Sequence, residues 1–249
     1  MVTDQSTLDW VKESGNEKFH EVFDEIILTD KPEISNYRKL YDGVNSKNTP
    51  FINSTRSDAW DLTPYDRTLL IDTDYLVMSN HLNEYWNVDQ DIMISPAIKD
   101  AYSTARIGVH DRYVSDVGCD LYWATTIMFT KNPETKIFFD LVKHIKDNYE
   151  YYGDLYQFRS RQYRNDISFS IALHIMNNHQ HENEIGLPPV LSTMDKDILV
   201  DVKDDGRLTF LLSPMLDSKF CAGSFSDIDI HVMNKQSIIR NSEKLLGLL

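Results

Sequence analysis

The sequence predicts an α/β fold, on three observations. Short apolar runs alternate with helical patterns up to about Tyr149. A strand–turn–strand signal follows around Asp204-Asp205-Gly206. The length, 249 residues, suits one sizeable core better than two.

The elements follow in chain order. Glu25–Thr29 reads as a short buried strand, Thr68–Ile71 as a second that stops at Asp72, and Asp91–Ser95 as a third closed by Pro96. Trp123–Phe129 is a longer strand rich in β-branched and aromatic residues. Asn132 then offers a cap, Pro133 a suitable first turn and Glu134 a charge that favours the positive end of the dipole. Ile137, Phe138, Leu141, Val142 and Ile145 trace the apolar face of that helix to about Tyr149. A second helix, about Asp166 to Met176, repeats Ile167, Ile171 and Ile175. Ile198–Val202 and Arg207–Leu212 form the hairpin arms, and Asn234 caps a last helix running through Ile238, Ile239 and Leu245.

Composition narrows the function. The chain is 41% hydrophobic and 26% charged, ordinary values for a globular protein. Its 25 Lys+Arg against 39 Asp+Glu give a net charge of −14, which disfavours duplex nucleic acid and anionic lipid as partners. An anionic substrate then needs a metal or a focused cationic pocket. Nine glycines form neither G-x-G-x-x-G nor a P-loop, so phosphate must be held by another device. Cys119 and Cys221 lack metal-ligand spacing and read as reduced core or near-core thiols. Without a signal peptide at its start or a run long enough for a transmembrane segment, the expected location is cytoplasmic.

Asp-x-Asp occurs four times, at Asp72/Asp74, Asp89/Asp91, Asp195/Asp197 and Asp227/Asp229. About three such pairs are expected by chance, so position must discriminate. Only Asp72/Asp74 follows an apolar strand, at the end where open α/β sheets bind ligands. Strand alternation sends both acids to one side, with Thr73 opposite. Two such carboxylates repel by about 4 kcal/mol at 4 Å and an effective dielectric near 20. Hard oxygens of this kind suit Mg²⁺ or Mn²⁺, either of which can bridge a diphosphate.

The stretch Thr63-Pro64-Tyr65-Asp66-Arg67-Thr68-Leu69-Leu70-Ile71-Asp72-Thr73-Asp74 resembles the strand and DXD motif of GT-A glycosyltransferases, in their family-8-like branch. The resemblance spans about residues 20 to 240. It implies a mixed, mainly parallel sheet flanked by helices, in one domain over 1–249. Residues 1–100 would form its nucleotide- and metal-binding half, and 101–249 its acceptor side and C-terminal helix. It also implies Mn²⁺ or Mg²⁺ held by Asp72, Asp74 and a late His. Ile230-His231-Val232-Met233-Asn234-Lys235 fits that part, with Lys235 toward the donor diphosphate, although the family's intervening Gly and Lys-Pro-Trp ending are missing. Arg164-Asn165-Asp166 resembles the acidic motif that faces the donor sugar, which gives Asp166 a role on sugar or acceptor; an acid there is also an ordinary helix cap. Trp123-Ala124-Thr125-Thr126 stands where the family lines its sugar and acceptor site, so Trp123, Thr125 and Arg164 become substrate-binding candidates. Arg56, in Asn53-Ser54-Thr55-Arg56, is placed near the nucleotide.

The implied activity is hexosyl transfer from a nucleotide sugar, a UDP-sugar by the resemblance, to a glycan, lipid or protein. Two alternatives stand beside it: a haloacid-dehalogenase-like phosphatase, which also opens on an apolar strand and D-x-D, and an inactive nucleotide-sugar-binding module. Met1-Val2-Thr3-Asp4-Gln5 resembles the tail of the family's second strand and Glu25–Thr29 its third, so the sequence is expected to lack the first strand and helix of the fold.

Overall fold

The computed structural model describes residues 1–13, 22–30, 36–41, 46–51, 55–102, 112–116, 118–158, 162–180, 186–214 and 219–248. It is a mixed α/β structure. Strand β1 (Val2–Asp4) leads into helix α1 (Gln5–Glu13) and lies parallel to β2 (Ile27–Thr29). Asp4 closes the start of α1, its carboxylate accepting from Thr7 N at 3.1 Å and Thr7 Oγ1 at 2.7 Å. β3 (Asn36–Tyr41) and β4 (Ser46–Phe51) form an antiparallel pair.

The element that positions the site is a three-stranded sheet. Its middle strand, β9 (Trp123–Thr130), runs antiparallel to both β5 (Arg67–Ile71) and β7 (Ile92–Ser95). Helix α3 (Pro133–Asp147) follows, after the short helix α2 (Ala59–Leu62) earlier in the chain, and starts at a capping box of Asn132 and Thr135. α4 (Tyr149–Tyr156) and α5 (Asn165–Met176) come next. α3 and α5 cover β9 with a fully buried aromatic group of Phe129, Phe138, Phe139 and Phe169.

A second sheet joins chain-distant pieces in the order β6 (Tyr75–Leu76), β14 (Ile230–His231), β10 (Val190–Ser192) and β8 (Ile98–Asp100). A third holds β11 (Ile198–Val202), β12 (Leu208–Leu212) and β13 (Cys221–Phe225). Helices α6 (Lys235–Arg240) and α7 (Ser242–Leu246) end the described chain, and Ile238 and Leu245 pack on the core of this third sheet.

Several expectations are corrected. Among the described residues three strand pairings are parallel and six antiparallel, so the sheets are mixed but not mainly parallel. The long apolar run of β9 reports burial on both faces and carries no information on direction. The last helix is two short ones, because the Asn241 side chain donates to Leu199 O and Ser237 O, each at 2.9 Å, at the break. Cys221 is exposed on β13, whose sole described partner is β12, while Cys119 is buried. Among the described residues no helix is long and apolar enough to cross a membrane.

Candidate metal centre and cleft

β5 delivers Asp72 to the sheet end: Asp72 N donates to Thr125 O at 3.0 Å, one step beyond the last β5–β9 pair. The chain then turns, with Tyr75 N donating to Asp72 O at 3.1 Å. This turn, rather than strand alternation, brings the two carboxylates to the same site. β6 continues and pairs with β14 so that Tyr75 stands opposite His231, and Val232 N donates to Asp74 O at 2.8 Å. Backbone bonds thus clamp His231 beside Asp74 although the two are far apart in sequence.

Asp72, Asp74 and His231 each offer a ligand atom, and these atoms all lie within 4.8 Å of one another. His231 Nε2 is 3.3 Å from Asp74 Oδ1 and 4.0 Å from Asp72 Oδ2. The imidazole is only 6% exposed, yet neither ring nitrogen has a hydrogen-bond partner among the described residues. A buried orphan nitrogen costs stability unless something meets it. Two carboxylates and one imidazole within this reach of one another are a donor set that Mn²⁺ or Mg²⁺ accepts. The remaining carboxylate oxygens face cations: Asp72 Oδ1 pairs with Arg56, and Asp74 Oδ2 is 2.6 Å from Lys235 Nζ. Burial pushes the Asp74 carboxyl up, but His231 and Lys235 outweigh it and hold the group well below the usual carboxylate range.

The cations are set by local structure. Arg56 opens a single 3₁₀ turn (Arg56–Asp58), and its guanidinium also bonds Ala124 O. Lys235 is the first residue of α6, whose cap Asn234 accepts from Ser237 N at 3.2 Å. Arg164 is the N-cap position of α5 and pairs with Asp166. Its backbone N donates to Tyr149 Oη at 3.2 Å, and its guanidinium lies 6.0 Å from the Trp123 ring centre. Asp166 therefore stands in the first turn of α5 and makes no cap bond, which corrects the ordinary-cap alternative. Trp123 sits where the β7–β9 register is irregular, opposite Ser95. Such irregularities re-aim side chains.

The acids, the cations, His231 and Trp123 line one cleft of about 690 Å³. Every site residue named from the sequence borders it: Arg56, Asp72, Asp74, Trp123, Thr125, Arg164, Asp166, His231 and Lys235. Asn53 and Ser54, upstream of Arg56, lie outside the described residues. Sequence reasoning gave no role to Asn165, which is 8% exposed and lines the cleft between Arg164 and Asp166. Its signal was its place in the Arg164-Asn165-Asp166 motif. Val2 also borders the cleft, brought there by β1, which lies within the Met1–Gln5 stretch read as the tail of a strand.

No protein-family model, curated protein or solved structure matches this chain.

Proposed function

We propose that the chain is a metal-dependent glycosyltransferase of the GT-A kind, moving a sugar from a nucleoside-diphosphate donor to a glycan, lipid or protein acceptor. The observation that carries this reading is the convergence of Asp72, Asp74 and an orphaned, buried His231 beside Lys235 and Arg56 in one cleft. The cleft volume falls within the roughly 300–1,000 Å³ typical of small-molecule sites.

Asp72, Asp74 and His231 would hold the cation. When bound, Mn²⁺ or Mg²⁺ supplies positive charge against a diphosphate leaving group. Lys235 and Arg56 add cationic donors for the phosphate oxygens, a local positive site in a protein of net charge −14. Arg164 and Asp166 offer a donor and an acceptor for hydroxyl groups of a sugar or acceptor. Trp123 and Thr125 complete that wall, an indole beside a hydroxyl, which suits the alternating C–H and O–H surface of a sugar.

The test is a thermal-shift screen of nucleotide sugars, with and without Mn²⁺. A donor at 100 times its dissociation constant stabilises the folded state by about 2.7 kcal/mol. The expected result is stabilisation by UDP-sugars that requires Mn²⁺. Release of phosphate from a phosphomonoester, with no response to any nucleotide sugar, would overturn the proposal in favour of a phosphatase. Donor binding without hydrolysis or transfer would leave a binding module.

A further inference from the structure

Among the described residues the charges of the cleft are matched one to one: three basic side chains line it, Arg56, Arg164 and Lys235, and three acidic ones, Asp72, Asp74 and Asp166. Arg56 pairs with Asp72, Lys235 with Asp74, and Arg164 with Asp166. Each metal-site carboxylate therefore has one oxygen on a cation and the other toward His231. A divalent cation entering among Asp72, Asp74 and His231 meets acids that are already neutralised, and adds two charges beside two resident positive ones. That repulsion acts where Asp74 is 8% exposed and water screens little.

The two resident cations differ in freedom. Arg56 is anchored twice, on Asp72 and on Ala124 O, and its side chain is 16% exposed. Among the described residues Lys235 makes one charged contact; it is 31% exposed and carries its ammonium on a flexible stem at the first turn of α6. We infer that Lys235 is a resident counter-ion of the metal site: it neutralises Asp74 while no cation is bound, opposes entry of a bare divalent cation, and leaves Asp74 when an anionic ligand arrives with the metal. The inference rests on the metal site proposed above. Cation and anion then strengthen each other's binding, each to the same extent.

The experiment is a calorimetric titration of Mn²⁺, alone and with UDP, into the unaltered chain, Lys235→Met, Lys235→Gln and Lys235→Arg. Melting temperatures are measured before and after metal. With the charge removed, Mn²⁺ alone should bind tighter, on the order of tenfold, and its enhancement by UDP should shrink. Metal-free Lys235→Met should melt lower, because a buried carboxylate loses its partner, and Mn²⁺ should restore it. Lys235→Gln keeps a hydrogen-bond donor for Asp74 and should show the same tightening if the Met variant folds poorly. Lys235→Arg keeps the charge and should behave as the unaltered chain. Equal or weaker Mn²⁺ binding in both neutral variants would overturn the counter-ion role while leaving the metal site standing. Absence of Mn²⁺ binding in every variant would overturn both. Tighter Mn²⁺ binding in the neutral variants, with no UDP binding anywhere, would uphold the counter-ion role for the metal and remove its coupling to a nucleotide.

Discussion

At the scale of single residues, Asp72 and Asp74 differ from other acidic pairs in what their oxygens touch. Asp197 accepts from Met194 N and Ser213 N at 2.7 and 2.8 Å, and Asp229 from Met78 N and Ser79 N at 2.7 and 2.8 Å. Those two carboxylates tie loops together. Asp72 and Asp74 instead meet the side chains of Arg56, Lys235 and His231, whose ring nitrogens make no hydrogen bond among the described residues. Asp166 belongs with this second group, since it makes no cap bond and faces the cleft with Arg164. Asp166→Asn should leave the melting temperature and donor affinity nearly unchanged and lower turnover by about tenfold or more, as loss of a charged hydrogen-bond acceptor worth about 1.5–3 kcal/mol does. Steady-state kinetics with the donor identified by the screen measures this, and full turnover would reduce Asp166 to a structural partner of Arg164. The cysteines show where single-residue reading stops: burial pushes the Cys119 thiol up to about 12, whereas Cys221 lies exposed, and nothing in their spacing separates them.

At the scale of elements, the packed core behind the site is formed by α3 and α5 on β9. The Phe139 ring centre lies 4.7 Å from Phe129, 5.5 Å from Phe138 and 5.8 Å from Phe169. Phe139→Ala should therefore cost about 3–5 kcal/mol of stability, measured by urea unfolding. A cost below about 1 kcal/mol would mean that the aromatic group is not the core that holds β9 in place. These elements were legible because their signals are local and strong. The Asn132 cap, Pro133 and the apolar stripe bound α3 within two residues of the expected end, and β5, β7 and β9 each match an apolar run within one residue at either end. The missed elements lack such signals. α1 is capped by Asp4, but only Leu8 on it is buried, so no apolar stripe marks it. β3 and β4 are mostly polar and Pro50 lies within β4, a residue that argues against a strand unless it sits at an edge. β6 and β14 are two residues each, too short for any periodicity.

At the scale of the molecule, a chain of net charge −14 gathers Arg56, Arg164 and Lys235 into one cleft and pairs them with Asp72, Asp74 and Asp166. The position of Asp72 and Asp74 after β5 was legible from a strand and the residues that stop it. The position of His231 was not derivable from its surroundings in sequence, because it depends on β14 pairing with β6 across most of the chain. A family resemblance pointed to the residue, and non-local pairing puts it beside Asp74. Direction of pairing was the least legible feature, since β9 reads the same whether it runs with or against its neighbours. Calorimetric titration of UDP into the unaltered chain and into Asp74→Asn, each with and without Mn²⁺, decides whether Asp72, Asp74 and His231 are a metal site that serves a nucleoside diphosphate. Binding to the unaltered chain should require Mn²⁺ and should be at least about tenfold weaker in Asp74→Asn, since even outer partners of metal ligands cost that much when lost. UDP affinity that is the same in both chains, or indifferent to Mn²⁺, would rule such a site out.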